Sequence, residues 1–528
     1  MADAKPRYRV AAGRQEWKAS TAIGASVAAP RRQSFDAGRS SRRLKGFTTT
    51  TQEINRQIRS YGRTIVARSR YLSQNNPYAM QAKKVFVSAL AGTGIKPSSL
   101  ADADFKAVLQ TVWLDFTDEA DADGLTDLYG MQATIASEMF DAGECFVRLR
   151  ARRPEDGLTV PLQLQLLPSE MLPLDDNRTL AGGSYVQMGV EFNAIGKRVA
   201  YWFLRQHPGA DQVNFRSGFA GEQVRVPAEE VLHLFDPTGF AGQIRGIPHT
   251  LSGIVTAAVL DCYDDAELER KRVAALFGGF ITTELGDDAA PHPMAEGIEA
   301  AEAAGKDSAI ALEPGAMLDL DPGQDVTFAE PADVGGNYEA FQYRNLLRMA
   351  AGFGVPYAAM TGDLRQANYG SIRAGLVEFR RRIEAMQHAV MVFQFCRPVW
   401  CRFMDDAVLA GRLPVGPAQY LTAPQGYRRA KWIAPRWDWV DPLKDRQAEK
   451  LAVDAGFKAR SDVIEAEGYD PEETDQRIAA DRAREKRLGL SFAPAKAPRA
   501  AAAKEEDDKP APRVKPEDGE EGDKTDGA

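Results

Sequence analysis

Ile372, Leu376, Phe379, Ile383, Met386, Val390 and Phe393 recur at an unbroken alternation of four and three residues. On an α-helix that spacing brings all seven to one side. The segment must therefore be a long helix with one buried face, and the stripe reads as core and subunit packing before it reads as a ligand groove. Ser371 is placed to cap it. Pro398 is expected to kink or end it, because proline lacks the N–H a helix interior needs. Just upstream, a short polar loop with two glycines follows an apolar helix expected over Tyr338–Gly352. That loop holds Arg365, Gln366, Asn368 and Tyr369. These residue types make no catalytic set, but all can hydrogen-bond a phosphate backbone.

A second long helix is expected from His249 to Phe280, a run without proline. It would be about 45 Å long. Its middle carries Asp261, Asp264, Asp265, Glu267 and Glu269, followed by Arg270, Lys271 and Arg272. Helical spacing also covers Thr51–Ser73, Tyr78–Leu90, Asp102–Phe116 and Leu125–Ala142. Asn75-Asn76-Pro77 breaks the first two apart. From Glu144 the period changes to two: Cys145–Arg150, Leu162–Leu166, Val190–Phe192, Arg198–Phe203 and Val231–Phe235 alternate as strands do. Residues 284–336 are rich in Gly, Pro, Ala and Asp, with one helix expected at Met294–Ala304. Ala448–Leu488 reads as a short helical section, and no internal repeat is visible.

Charge is unevenly spread. Of the net −8, Met1–Arg70 holds 16 Lys+Arg against 4 Asp+Glu, and Ala501–Ala528 holds 5 against 10. The residues between carry about −15. A basic arm, an acidic body and an acidic tail point to charged partners at the ends. Residues 493–528 have the composition of a disordered segment. Four cysteines in 528 residues make no disulfide framework and fit a reducing compartment. Cys396 and Cys401 lack zinc-knuckle spacing and read as core thiols. No signal peptide and no membrane-spanning run is visible.

Several enzyme classes lack their residues. Gly92-Thr93-Gly94-Ile95-Lys96-Pro97-Ser98-Ser99 fails as a phosphate loop, since Ile95 separates glycine from lysine and Pro97 follows. No two of the five histidines have metal-ligand spacing on a helix. His233 sits in an apolar strand and reads as a core or edge residue. No nucleophile elbow and no dinucleotide fingerprint occurs. The residues give no catalytic set, no metal site and no cofactor.

Five separated segments carry a resemblance. They are Arg68–Pro77 with Gly92–Pro97, Gln243-Ile244-Arg245-Gly246-Ile247-Pro248, Val355–Arg382, and Trp437-Asp438-Trp439-Val440-Asp441-Pro442-Leu443-Lys444-Asp445. In this order they resemble the lambda-like family of tailed-phage portal proteins, over roughly 60–490 of the chain. The resemblance implies an α+β portal fold assembled into a ring, usually a dodecamer. It implies a flexible basic arm (1–50), a wing that is helical and then β-rich (51–248), and a first stem helix (249–283). A clip (284–336), a second stem helix (337–360), a tunnel loop (361–370), a long wing helix and return (371–440), a crown (441–492) and an acidic tail (493–528) come after it.

The implied function is a channel at one capsid vertex, through which double-stranded DNA is packaged and ejected. The implied partners are that DNA without regard to sequence, the terminase large subunit, major capsid and scaffold proteins, and head-tail adaptors. No membrane is implied. The place is the virion, and the host cytoplasm during assembly. Arg365, Gln366, Asn368 and Tyr369 would face the DNA. Asp261, Asp264 and Asp265 would line the channel or form a solvated outer face. The basic arm is expected to contact a scaffold or inner-capsid partner. The competing class is a DNA-packaging ATPase or nuclease, which the missing Walker and metal motifs disfavour.

Overall fold

The computed structural model describes residues 51–210, 221–275, 279–283, 324–328, 338–365, 368–437 and 442–490. The expectations for the basic arm, the helix at Met294–Ala304 and the acidic tail lie outside these residues. The chain divides into two units, Met1–Glu53 and Ile54–Ala528, and every helix and strand among the described residues belongs to the second.

Four helices open it: α1 (Ile54–Asn75), α2 (Pro77–Leu90), α3 (Ala103–Glu119) and α4 (Leu128–Ala142). Asn76 separates the first two as expected. Its backbone turns to an extended conformation and its side chain accepts a hydrogen bond from the Ala79 N–H at 2.8 Å, which satisfies one of the orphan donors of a helix start. Between α2 and α3 the failed phosphate loop becomes strand β1 (Lys96–Ser99).

After α4 the chain enters β2 (Glu144–Ala151), β3 (Leu162–Leu167), β4 (Arg178–Thr179), β5 (Tyr185–Gln187), β6 (Val190–Phe192), β7 (Arg198–Leu204), β8 (Gln223–Pro227) and β9 (Val231–Phe235). They form an antiparallel sheet of order β3-β2-β9 and a second of order β4-β5-β6-β7-β8. The turn from α4 into β2 is held by Gly143 at φ 80°, where a Cβ would lie 2.1 Å from the Ile247 backbone. Only glycine fits such an approach.

Helix α5 (Ile254–Ala275) leads to strand β10 (Gly279–Thr283), paired with β11 (Gln324–Phe328). The expected helix His249–Phe280 is therefore too long at both ends. Residues 249–253 form turns, with the Thr250 hydroxyl donating to Ser69 Oγ at 2.6 Å, and Gly279 already opens a strand. Helices α6 (Tyr338–Phe353), α7 (Tyr357–Thr361) and α8 (Tyr369–Met386) come next.

The cap of α8 is Asn368, three residues before its expected start. Asn368 Oδ1 accepts from Ser371 N–H at 2.8 Å, and Ser371 Oγ accepts from Asn368 N–H at 3.1 Å. Each residue thus satisfies the other's donor, a reciprocal capping box. Ser371 is the inner partner of that box.

Pro398 does not end the long helix. Residues Gln387–Cys396 are wound as a π-helix that runs directly into α9 (Arg397–Leu409). Arg397 N–H reaches back five residues to Val392 O. The widened turn accommodates the ring of a proline that has no N–H to place. It also moves the apolar stripe. Phe379, Ile383, Met386 and Val390 are buried, but Phe393 is 62% exposed and Phe395 takes its place at 1%.

The core lies where these helices meet the β3-β2-β9 sheet. Phe116, Phe140, Phe353, Phe395 and Phe403 are sealed in it. Trp113 stands edge-on to Trp400, ring centroids 4.9 Å apart. Each such ring contributes about 1.5–3 kcal/mol by leaving water. Cys396 belongs to this core and Cys401 is half-buried, whereas Cys262 on α5 is exposed. Strand β12 (Ala430–Ile433) pairs with β1, and α10 (Pro442–Asp454), α11 (Arg460–Ala466) and α12 (Pro471–Leu488) finish the described chain.

Candidate functional site

Helices α5 and α6 pack together, and their close approach begins at two glycines. A Cβ on Gly352 would lie 3.0 Å from Gly253 Cα, and one on Gly253 would lie 2.5 Å from the Phe353 ring. Ser252 Oγ donates to Gly352 O at 2.8 Å. Further along, Tyr263 stacks on Tyr338 at 6.1 Å and meets Phe341 at 4.9 Å.

This packing decides the fate of the acidic residues. Leu260, Asp264 and Glu267 share the inward side of α5 by helical spacing. Asp264 accepts hydrogen bonds from Tyr338 Oη at 3.1 Å and from Gln342 on α6. Burial raises its carboxyl above the usual range. Asp261 accepts from Asn76 Nδ2 at 2.6 Å, which ties α5 to the cap of α2. Two of the three aspartates expected as channel lining are thus engaged inside the subunit. Asp265 is exposed.

The outward side of α5 is apolar for much of its length. Val255, Val259, Cys262 and Ala266 follow a 4-3-4 spacing and all four are exposed, Val255 at 70% and Val259 at 63%. The signal for this face was the helical period of its small apolar residues, which lie interleaved with the acidic ones.

The polar loop between α7 and α8 is latched rather than free. Arg365 Nη1 donates to Glu339 Oε1 at 2.8 Å, and its Nε donates to Asp363 Oδ1 at 3.0 Å. Asp363 also accepts from Tyr357 Oη at 3.1 Å. The hydrogen bonds from Arg365 hold the Asp363 carboxyl well below the usual carboxylate range. Arg365 is still exposed to solvent, but its charge is matched by two carboxylates. Gln366 lies outside the described residues. Asn368 has its amide oxygen committed to the cap, and Tyr369 is the first helical residue of α8. The four expected loop residues are therefore one paired cation, one cap, one helix start and one residue beyond description.

Sequence reasoning missed a fully buried ion pair. Arg245 donates through Nη2 to Glu144 Oε1 at 2.6 Å and through Nη1 to Leu172 O and Met188 O, each at 2.9 Å. Gly246 N–H donates to the same carboxylate at 2.7 Å, and His233 Nε2 lies 3.0 Å from it. Burial alone would raise Glu144, but Arg245 and the hydrogen bond with His233 outweigh it and hold the group well below the carboxylate range. Burial pushes His233 down to about 4, against the pull of Glu144. This cluster clips the two sheets together. Arg70 makes a similar clip, donating to Glu138 at 2.7 Å and to Glu170 at 2.6 Å. Two of the segments behind the resemblance thus hold the fold. Among the described residues no group of His, Cys, Asp and Glu is arranged to hold a metal ion, and no helix is long and apolar enough to cross a membrane.

A family model described as phage portal protein, lambda family, matches residues 40–387, more than half of the chain. The chain belongs to the lambda family of phage portal proteins. That family is not enzymatic, and its members are virion components. This portal chain is 27% identical over 457 residues to a probable portal protein of Halomonas phage phiHAP-1, with 81% of each chain covered. It is 23% identical over 302 residues to the portal protein of Escherichia phage N15, covering 54% of this chain and 56% of that one. It is also 23% identical over 264 residues to portal protein B of Escherichia phage lambda, covering 46% and 48%. A solved chain from the neck of an empty gene transfer agent particle aligns with TM-score 0.42 at 18% identity, over 78% of this chain and 94% of that one.

Proposed function

We propose that copies of this portal chain, about twelve in a closed ring of heterologous contacts, form the channel at one head vertex through which double-stranded DNA enters and leaves. The observation that carries this reading is the outward stripe Val255, Val259, Cys262 and Ala266 on a helix of a family-matched segment. An apolar helix face left to solvent in one chain is what a neighbouring subunit would cover. In this reading α5 and α6 are the stem, 284–336 is the clip that meets terminase and then the connectors, and the N-terminal arm meets scaffold or capsid.

The electrostatics support passage rather than grip. Each phosphate a protein neutralises strengthens salt-dependent binding. An acidic body repeated around a ring repels the duplex, and a loop arginine already paired with Asp363 and Glu339 adds little attraction. The loop residues Arg365, Gln366, Asn368 and Tyr369 would touch DNA without reading its sequence, with Asp265 facing the same space.

The test is packaging in vitro. Heads assembled with this chain should recruit terminase and take up DNA, and heads assembled without it should do neither. DNA uptake by heads lacking the chain, or ATP hydrolysis by the purified chain alone, would overturn the reading.

A further inference from the structure

Strand β2 carries Arg148 and Arg150, and Arg152 lies just past its end. Alternate positions along an extended chain project to one side. Gln165 stands opposite Arg148, and Gln163 opposite Arg150. The reverse face of β2, with Cys145, Val147 and Leu149, is part of the main core, which α5 and α6 also enter through Ala257, Leu260, Leu346 and Met349. The arginine face therefore looks away from the helix pair. At its near end Phe146 and Val231 are covered by the five-stranded sheet. From Arg148 onward the row is half-exposed.

Three like charges in a row need compensation, and little is present. Arg148 approaches Glu230 only at 3.7 Å, and Arg150 Nη1 donates to a neutral partner, Gln165 Oε1, at 3.2 Å. The Nε atoms of Arg148 and Arg152 are buried without a hydrogen-bond partner. Burial, then repulsion from Arg148 and Arg152, lowers Arg150 below its ordinary value and outweighs the pull of Asp123. Like charges at alternate positions of one strand repel one another, and an anion lying across them relieves that repulsion.

The spacing favours a linear polyanion. The row spans about 13 Å, close to the rise of four nucleotides of a DNA strand. Guanidinium forks match phosphate oxygens, and the amide nitrogen of Gln165, whose oxygen Arg150 holds, can donate to them without reading bases, whereas Gln163 Nε2 is already given to Glu119 O at 3.0 Å. The acidic tail fits less well, because five Lys+Arg interrupt its ten acids.

We propose that the face bearing Arg148, Arg150, Arg152 and Gln165 binds the phosphate backbone of double-stranded DNA, independently of sequence and away from the channel. Its position relative to a channel rests on the ring reading; the binding itself does not.

The experiment titrates the full-length chain with a duplex of arbitrary sequence at several salt concentrations. The N-terminal arm contributes equally to every variant. R148Q/R150Q/R152Q should bind at least about tenfold more weakly at low salt, and its slope of log K against log salt should shrink by about 2.7, three phosphates at ~0.9 each. R148K/R150K/R152K keeps the charges and should keep the slope, which separates lost charge from lost fold. Unchanged affinity and slope in the glutamine variant would overturn the proposal. So would unchanged DNA binding together with lost binding of a synthetic peptide of residues 501–528, which would give the face to the tail. A chain that forms no ring but shows the slope change supports the site while refuting the channel.

Discussion

Replacing Arg245 by methionine would strip Glu144 of the guanidinium that makes its burial tolerable. Breaking one partner out of a buried ion pair costs about 3–5 kcal/mol. R245M should therefore show a large fall in urea midpoint, and a midpoint within error of wild type would refute the role given to the pair. His233 adds a pH dependence. It is neutral in the fold, pushed down to about 4 from the ordinary 6.5, so below pH ~6.5 the unfolded chain takes up a proton that the folded chain refuses. Stability is full above that pH and is lost as pH falls, by up to about 1.4 kcal/mol per pH unit. Glu144 acts in the same direction at lower pH, since its folded carboxyl resists protonation. The urea midpoint should drop between pH ~6.5 and ~4.5, and H233Q should flatten that drop. At this scale the sequence was poorly legible. His233 was readable as buried from its apolar strand, and Gln243–Pro248 was visible as a segment. Nothing in the spacing pointed from Arg245 to a partner 101 residues away, because a buried salt bridge leaves no local period. The hydrogen bonds of Asp261 and Asp264 were illegible for a related reason: a carboxylate on a helix looks solvent-bound until the packed side of that helix is known.

Among elements, the long helix shows both the strength and the limit of periodicity. The stripe is right from Phe379 to Val390 and then slips, since a π turn takes more residues than an α turn and delivers Phe395 to the core where Phe393 was expected. The physical cause, a proline tolerated inside the helix, was visible at Pro398, but its remedy was not. F395A should cost about 3–5 kcal/mol in unfolding of the monomer. F393A should cost no more than about 0.5 kcal/mol, as surface substitutions do. Equal losses would contradict the shifted register. The strands were legible because alternation is local. The ends of α5 were not: Thr250 is held by Ser69 and Gly253 by Phe353, both distant in sequence. Pairing of β1 with β12 was equally hidden, since its register joins residues more than 300 apart.

For the whole molecule, the chain belongs to the lambda portal family, and assembly of its copies into a ring is what the proposed channel requires. The proposed ring rests on the apolar surface of α5, which no other described residue covers. V255D/V259D puts charge on that stripe without touching the buried side of the helix, so it should abolish assembly and leave the monomer's urea midpoint nearly unchanged. The most direct measurement is electron microscopy of the purified wild-type chain, with native mass determined alongside and scaffold and shell protein added if needed. A ring of about twelve copies around a central hole, lost in V255D/V259D, is the expected result. A wild-type chain that stays monomeric even with scaffold and shell protein present would contradict it.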